Sequence, residues 1–298
     1  LIMKISIICP VKNARMFVAD AINSILRQQG DFELELIVVD GASTDGTFEF
    51  LDDIYKHYLN KTLDFKCNLS KFYFLSEKDN GMYEALVKGF RLSTGDVIGW
   101  LNADDYYLEG ALSKVYRIFH DISKVKWITG RANSEKEGKY MWKSKLRYFP
   151  RRMIRSGIFG LYSDNFIGQE STFWRRELLN EIDEDKFSGY KLAGDFYLWN
   201  TFAKRNRLYS CDEDFAVFRA HDCNMSCDSE RYRKEMREIV DKKPRRYELR
   251  WIEKSIRKWD EGNKEFTYIT CDMAKNRYVV INRGIVTFTK TCRLMICN

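Results

Sequence analysis

Apolar and polar residues fall into two alternating rhythms over the first 120 positions. Short apolar runs at Ile5–Cys9, Leu34–Val39, Lys71–Leu75 and Val97–Leu101 read as strands. Each is followed by residues at helical spacing, over Ala14–Gln28, Thr47–Tyr58, Met82–Leu92 and Leu108–Phe119. In the first of these helices Phe17, Val18, Ala21, Ile22 and Ile25 share one face. Uninterrupted apolar runs suit strands buried on both sides. Strand–helix alternation predicts a largely parallel α/β sheet covered on both faces.

After residue 125 the rhythm changes. Val125–Thr129 reads as a further strand, Arg131–Lys143 as a hairpin turning near Glu137-Gly138, and 143–160 as a basic, aromatic loop. Phe166–Trp174 is expected as a strand, Asp195–Lys204 as a helix and Phe215–Arg219 as a late strand. Residues 229–260 look helical and charged, and Tyr278–Ile281 and Ile285–Phe288 look β-like.

Charge divides the chain further. Residues 229–298 hold 18 Lys and Arg against 10 Asp and Glu, so the net charge of +7 sits in this stretch and the remainder is near neutral. A domain over 1–228 with a basic extension over 229–298 is therefore expected, the extension having an electrostatic task of its own. The loop Lys143–Arg155 adds six cations and suggests an acceptor-binding lid or a contact with anionic headgroups. No apolar run approaches the ~18 residues that span a bilayer, and the first residues read as a strand rather than a signal peptide. A cytoplasmic protein, peripheral at the inner membrane face, is the expectation. The eight cysteines are scattered, which suits reduced thiols. Cys223, Cys227 and His221 raise a zinc site, but a second pair of close ligands is missing.

In open parallel sheets, ligands sit at the carboxyl ends of the strands. The segments to examine are therefore Pro10–Asn13, Asp40–Gly46, Glu77–Gly81 and Asn102–Asp105. The first lacks the glycines of a dinucleotide-binding turn, and no P-loop is present. A diphosphate would then need another device, such as Mg²⁺ or Mn²⁺ held by one or two carboxylates. Asp104 and Asp105 are placed for that, although two aspartates after a strand also make an ordinary turn or cap. The Asp40–Gly46 segment is equally good turn and N-cap chemistry, with a nucleobase or ribose as the alternative partner of Asp40 or Asp45.

Taken together, the segments are more specific. Ser6-Ile-Ile-Cys-Pro-Val-Lys-Asn13, Val38-Val-Asp-Gly-Ala-Ser-Thr-Asp-Gly-Thr47, Asp79-Asn-Gly-Met-Tyr-Glu-Ala-Leu86 and Gly99-Trp-Leu-Asn-Ala-Asp-Asp105 resemble family 2 inverting glycosyltransferases of the glycosyltransferase-A fold. The resemblance continues through Gly168–Leu178, Ala193–Trp199 and Phe218–Ser226, and so covers roughly residues 3–227. It implies that Asp40 and Asp45 contact the base and ribose of a nucleotide-sugar donor. Pro10, Asn13, Ser43, Asp79, Gly81, Lys88, Asn102 and Ala103 are implied at the same donor. Asn102 replaces the first Asp of the usual Asp-x-Asp motif, which shifts the metal onto Asp104, with Asp105 supporting it and His221 facing the metal or diphosphate. Val87-Lys88-Gly89 likewise replaces the family's Asn-Lys-Gly, so the contact of the missing Asn is not implied. Gln169 and Glu170 are implied near the donor sugar or acceptor. Asp195, otherwise a helix cap, is implied as the general base.

The expected activity is a Mn²⁺- or Mg²⁺-dependent, inverting hexosyl transfer from a UDP-sugar to a glycan or lipid-linked acceptor in envelope polysaccharide synthesis. The basic extension would meet an anionic membrane surface, and nucleic acid is not an expected partner because no binding module accompanies the charge. A sugar-phosphate nucleotidyltransferase, for which Lys12 alone offers the needed cation, and an inactive binding protein of the same fold are the alternatives.

Overall fold

The computed structural model describes residues 2–222, 224 and 228–282. Its first part alternates as the apolar pattern requires. β1 (Lys4–Val11), α1 (Val18–Leu26), β2 (Glu33–Asp40), α2 (Thr47–Leu59), β3 (Leu69–Ser76), α3 (Met82–Leu92) and β4 (Val97–Trp100) follow in order. β1, β2 and β4 are buried almost throughout, which is why they are nearly continuous apolar runs. Alternate residues of each strand enter opposite layers. Ile8, Ile37 and Val39 join one hydrophobic core with α3, while Ile7, Cys9, Leu36 and Val38 join a second with α1.

The chain continues through β5 (Tyr106–Tyr107), α4 (Ala111–Asp121), β6 (Trp127–Arg131), β7 (Asn133–Lys136), β8 (Lys139–Lys143), α5 (Arg151–Arg155), α6 (Ile158–Leu161) and β9 (Thr172–Arg175). After a 3-10 turn at Arg176–Glu181 come α7 (Glu184–Gly189), α8 (Gly194–Phe202), β10 (Leu208–Asp214) and β11 (Ala216–Arg219). The last described elements are α9 (Ser229–Ile239), α10 (Arg246–Asp260), β12 (Tyr268–Asp272) and β13 (Arg277–Ile281). Nine strands form one sheet in the order β13-β12-β10-β6-β9-β4-β1-β2-β3. β1 pairs in parallel with β2 and β4, and β9 runs antiparallel between β4 and β6. A second sheet, β5-β11-β7-β8, lies at the carboxyl end and closes one side of the site. This is the mostly parallel, helix-covered α/β sheet that the pattern predicts.

Several expectations are corrected. Residues 143–160 are not simply a loop: α5 and α6 form there, because Leu146, Phe149, Met153, Ile154, Ile158 and Phe159 all turn into the core. Their apolar spacing was masked by the cations between them. Those cations also find partners: Lys143 pairs with Asp214, Arg147 with Asp260, Arg152 with Glu248 and Arg155 with Asp241. The strand expected over Phe166–Trp174 is confined to β9, and the residues before it line a cavity. The run Ile285–Phe288 lies outside the described residues, as do Cys223 and Cys227 of the zinc hypothesis.

The step in charge at residue 229 is not a step in packing among the described residues. Met236, Ile252, Trp259 and Phe266 belong to the same core as α3 and α8, and β12 pairs in parallel with β10. No described helix is long and apolar enough to cross a membrane.

α3 reaches the sheet through Gly89, where an added Cβ would stand 2.4 Å from Cγ2 of the fully buried Ile8. That contact sets how closely the helix carrying the Asp79–Gly81 turn approaches β1. Gly89→Ala is predicted to lower stability by about 1–3 kcal/mol through overpacking. Urea denaturation checks this, and wild-type stability would contradict the close approach.

Candidate active site

The carboxyl ends of β1, β2 and β4 open into one cavity of about 1260 Å³. Pro10, Asn13, Asp45, Asp79, Gly81, Asn102, Ala103, Asp104 and Asp105 line it from the first half of the chain. Gln169, Glu170, Asp195 and His221 line it from the second. Thirteen of the sixteen site residues expected from the sequence are thus brought together, and Asp40, Ser43 and Lys88 are not at the cavity wall.

Each exception has a physical cause. Asp40 is fully buried and accepts hydrogen bonds from the Ser43 N–H (3.1 Å), the Ser43 hydroxyl and the Ser76 hydroxyl (2.6 Å). It ties the end of β2 to the end of β3. Ser43 Oγ in turn accepts from the Asn13 N–H at 2.8 Å, so the pair shapes the first two loops from behind. Lys88 points along its own helix face and pairs with Glu77 at 2.7 Å and Glu84 at 3.2 Å. Asp45, which does line the cavity, also accepts from the Thr47 hydroxyl at 2.6 Å and from the Arg15 N–H at 3.0 Å. Burial works against its charge, yet these bonds hold its carboxyl below the usual range.

The two adjacent aspartates behave differently. Asp105 is 1% exposed and accepts from the Arg219 N–H at 2.9 Å and the Asn102 amide at 3.5 Å. Burial, with Asp104 and Glu170 nearby, raises its pKa well above the carboxylate range. Asp104 faces the cavity, with Oδ2 at 2.9 Å from His221 Nε2 and 3.2 Å from the Asn224 amide. The His221 ring stacks on Phe17 at 4.6 Å. Asn102 accepts from the indole N–H of Trp100 at 2.7 Å, so its side chain is held by the strand it follows. Gln169 donates its amide to the Trp100 carbonyl.

The Glycosyl transferase family 2 sequence profile matches residues 6–183, more than half of the chain. The chain belongs to glycosyl transferase family 2. Asp195 and His221 lie beyond the matched span of this family 2 chain but share its cavity. An uncharacterized glycosyltransferase of Mycoplasma genitalium is 30% identical over 115 residues, covering 37% of this chain and 35% of its own length. A PGL/p-HBAD biosynthesis glycosyltransferase of Mycobacterium bovis is 35% identical over 105 residues, covering 35% and 36%. The alignments thus span about a third of the length of these curated relatives. Among solved structures, S. aureus TarS 1–349 in complex with UDP-GlcNAc is 19% identical with a TM-score of 0.57, covering 80% of this chain and 65% of that one. The mannosyltransferase PcManGT from Pyrobaculum calidifontis, in complex with GDP-Man and Mn²⁺, is 16% identical with a TM-score of 0.50, covering 84% and 69%. At these identities the likeness speaks for the fold.

Among the described residues, Asp104 and His221 are the pair on this wall that could hold a divalent ion. The 2.9 Å between Asp104 Oδ2 and His221 Nε2 is a hydrogen-bond length. A divalent ion there would take one carboxylate and one imidazole ligand in place of that hydrogen bond. Asp105 does not fit as a ligand in this arrangement, since its buried oxygens are directed to Arg219 and Asn102. Among the described residues no group of three or more His, Cys, Asp and Glu is arranged to hold a metal ion, so diphosphate oxygens and water would complete the shell.

Residues not anticipated from sequence complete the wall. Trp142 and Phe166 present partly exposed rings, and Tyr232 donates its hydroxyl to Asp195. Burial pushes Asp195 up to about 6, against the Phe196 N–H and the Tyr232 hydroxyl, which favour its charged form. Burial likewise pushes Glu170 up to about 7 from the ordinary 4.5. Between those two values the folded chain holds a proton on Glu170 that the unfolded chain releases, so stability falls as pH rises through this window. Glu170→Gln is therefore predicted to be more stable than wild type above pH 7, by on the order of 2 kcal/mol, with the gain vanishing below pH 4.5. Urea denaturation across pH tests this, and a gain independent of pH would contradict it.

Proposed function

We propose that the chain transfers a sugar from a nucleotide-sugar donor, a UDP-sugar first among them, to a glycan or lipid-linked acceptor with inversion at the anomeric carbon. The observation that carries this reading is the convergence of Asp45, Asp79, Asp104, Glu170, Asp195 and His221 on one cavity in a family 2 chain. The donors named with the solved relatives, UDP-GlcNAc and GDP-Man, support a nucleotide sugar without choosing the base.

The residues divide the work by position. The loops carrying Asn13, Asp45, Asp79 and Asn102 bind and orient the nucleoside end. Asp104 and His221 would hold Mn²⁺ or Mg²⁺ against the diphosphate, where the ion supplies neutralisation of charge growing on the leaving group. Asp195 takes the acceptor hydroxyl's proton as that oxygen attacks the anomeric carbon from the face opposite the leaving diphosphate. A carboxyl whose pKa is raised to about 6 is ionised at neutral pH and a stronger base than an ordinary aspartate. Gln169 and Glu170 face the sugar and acceptor side.

Lys12 donates to the carbonyls of Gly41 and Ala42, so it braces the first two loops. Lys12 also lines the cavity, and to serve a nucleotidyltransferase it would have to leave those carbonyls. The extension's part at an anionic inner membrane surface, in envelope polysaccharide synthesis, is proposed on its charge alone.

Incubation with Mn²⁺ and a panel of nucleotide sugars tests the reading. Asp195→Asn is predicted to lower transfer roughly 10²–10⁴-fold. The same variant should keep the thermal upshift produced by nucleoside diphosphate and Mn²⁺. Asp104→Asn and His221→Ala should lose that upshift. Undiminished transfer in Asp195→Asn, or no ligand that stabilises the wild type, would count against the function proposed.

A further inference from the structure

The helix α9 lies past the span matched by the family and past the step in charge, yet it reaches into the cavity. Tyr232 on its first turn places its hydroxyl 2.9 Å from Asp195 Oδ1 and 3.0 Å from Asp195 Oδ2. One turn on, Glu235 accepts from three successive backbone N–H groups, those of Lys191 (3.2 Å), Leu192 (2.9 Å) and Ala193 (2.9 Å). These amides belong to the segment that leads into α8, on which Asp195 is the second residue. Met236 is fully buried and faces Gly160 on α6. Residues 232, 235 and 236 stand at helical i, i+3 and i+4 spacing, so one face of α9 makes all three contacts.

The chemistry of the Tyr232 contact is selective. Packing would need only the ring, which meets Phe166 edge-on at 6.0 Å. The hydroxyl instead bridges both carboxylate oxygens. Among the described residues Asp195 has no ion pair, and its other donor is the Phe196 N–H at 2.7 Å. A Lys or Arg in place of Tyr232 would hold the carboxylate just as firmly but would suppress its basicity by charge. A neutral phenol orients the carboxylate and leaves its charge in place. Burial and the neighbouring Asp195 raise the phenol's own pKa well above its ordinary value, so it remains a donor throughout the working range.

We propose that Tyr232 is a positioning residue for Asp195, and that Glu235 fixes the segment carrying it, so that α9 is part of the transfer site. This rests on the reading of Asp195 as the base. Tyr232 restricts the Asp195 carboxylate to one orientation toward the cavity. Glu235 prevents the α8 entry from sliding along the helix axis. The groups facing Asp195 are Tyr232 and Glu235 from α9, Tyr83 from α3 and Glu170 from the segment before β9. Glu235 raises its proton affinity and Tyr232 lowers it, whereas between Asp195 and Glu170 it is the Asp195 charge that raises Glu170.

The test needs no sugar donor. In ligand-free protein labelled with ¹³C at the aspartate carboxyl carbons, the Asp195 signal is assigned by its loss in Asp195→Asn and followed against pH. Tyr232→Phe should move the midpoint upward by about one pH unit, because it removes a hydrogen bond to the charged form. Should that variant not fold, 3-fluorotyrosine at position 232 keeps the ring, strengthens the donor and should move the midpoint downward. A midpoint unchanged by either substitution overturns the proposal. With a nucleotide sugar that the wild type turns over, Tyr232→Phe should lower kcat about tenfold with KM for the donor within about twofold, and shift the acid limb of the kcat profile upward. A loss confined to KM would also overturn it. Full turnover by Asp195→Asn, with the midpoint still moved by Tyr232→Phe, would instead remove the base reading and leave the contact intact.

Discussion

Gathering Asp104, Asp105, Glu170 and Asp195 around one cavity is the electrostatic constraint on which this structure turns. Asp105 and Glu170 are almost wholly removed from water, and burial raises Asp195 as well, so these acids cannot all stay charged without help. The chain answers each in a different way. Asp105 is given a backbone N–H from β11 and an amide from its own loop. Asp104 is turned to His221 and Asn224. Asp195 receives a backbone N–H and a phenol. Glu170 has a poor donor in the Ser171 hydroxyl, at 3.4 Å, and burial moves it toward protonation near neutrality. Acidic groups with such different surroundings can take different parts in one reaction.

The compensating donors come from far along the chain, which explains the topology of the second half. β11 must return beside β5 to bring Arg219 to Asp105. The segment after it must fold back to bring His221 to Asp104. α9 must cross α8 to reach Asp195. The parallel half of the sheet supplies the binding loops, and the antiparallel insertion of β9 and the second sheet supply the wall that faces them. The cations at 143–155 serve this packing as well, since several of them close onto acids of the extension.

The first four strands were legible because buried parallel strands need continuous apolar runs, and their terminal loops stand out as polar interruptions. Asn102–Asp105 was visible as the fourth of those loops, and so was its site. The division of labour within it was not. Whether Asp104 or Asp105 faces outward depends on the return of Arg219, which lies more than a hundred residues away. The i,i+4 spacing of Glu84 and Lys88 is legible in the sequence, whereas the approach of Glu77 from the segment before α3 is not. Tyr232 carried no signal: in a helix of Arg, Lys and Glu, one tyrosine reads as an ordinary amphipathic position. Met153 and Ile154 were hidden by the arginines around them, although their burial decides that the loop becomes helical.

In the proposed function Asp104, not Asp105, would hold the diphosphate through a divalent ion. A crystal structure with Mn²⁺ and uridine diphosphate, read from the anomalous signal of manganese, tests it most directly. The expected result is an ion bonded to Asp104 Oδ2, His221 Nε2 and diphosphate oxygens, with Asp105 still accepting from the Arg219 N–H. An ion ligated by Asp105 with His221 swung away, or a diphosphate bound outside this cavity, would contradict it.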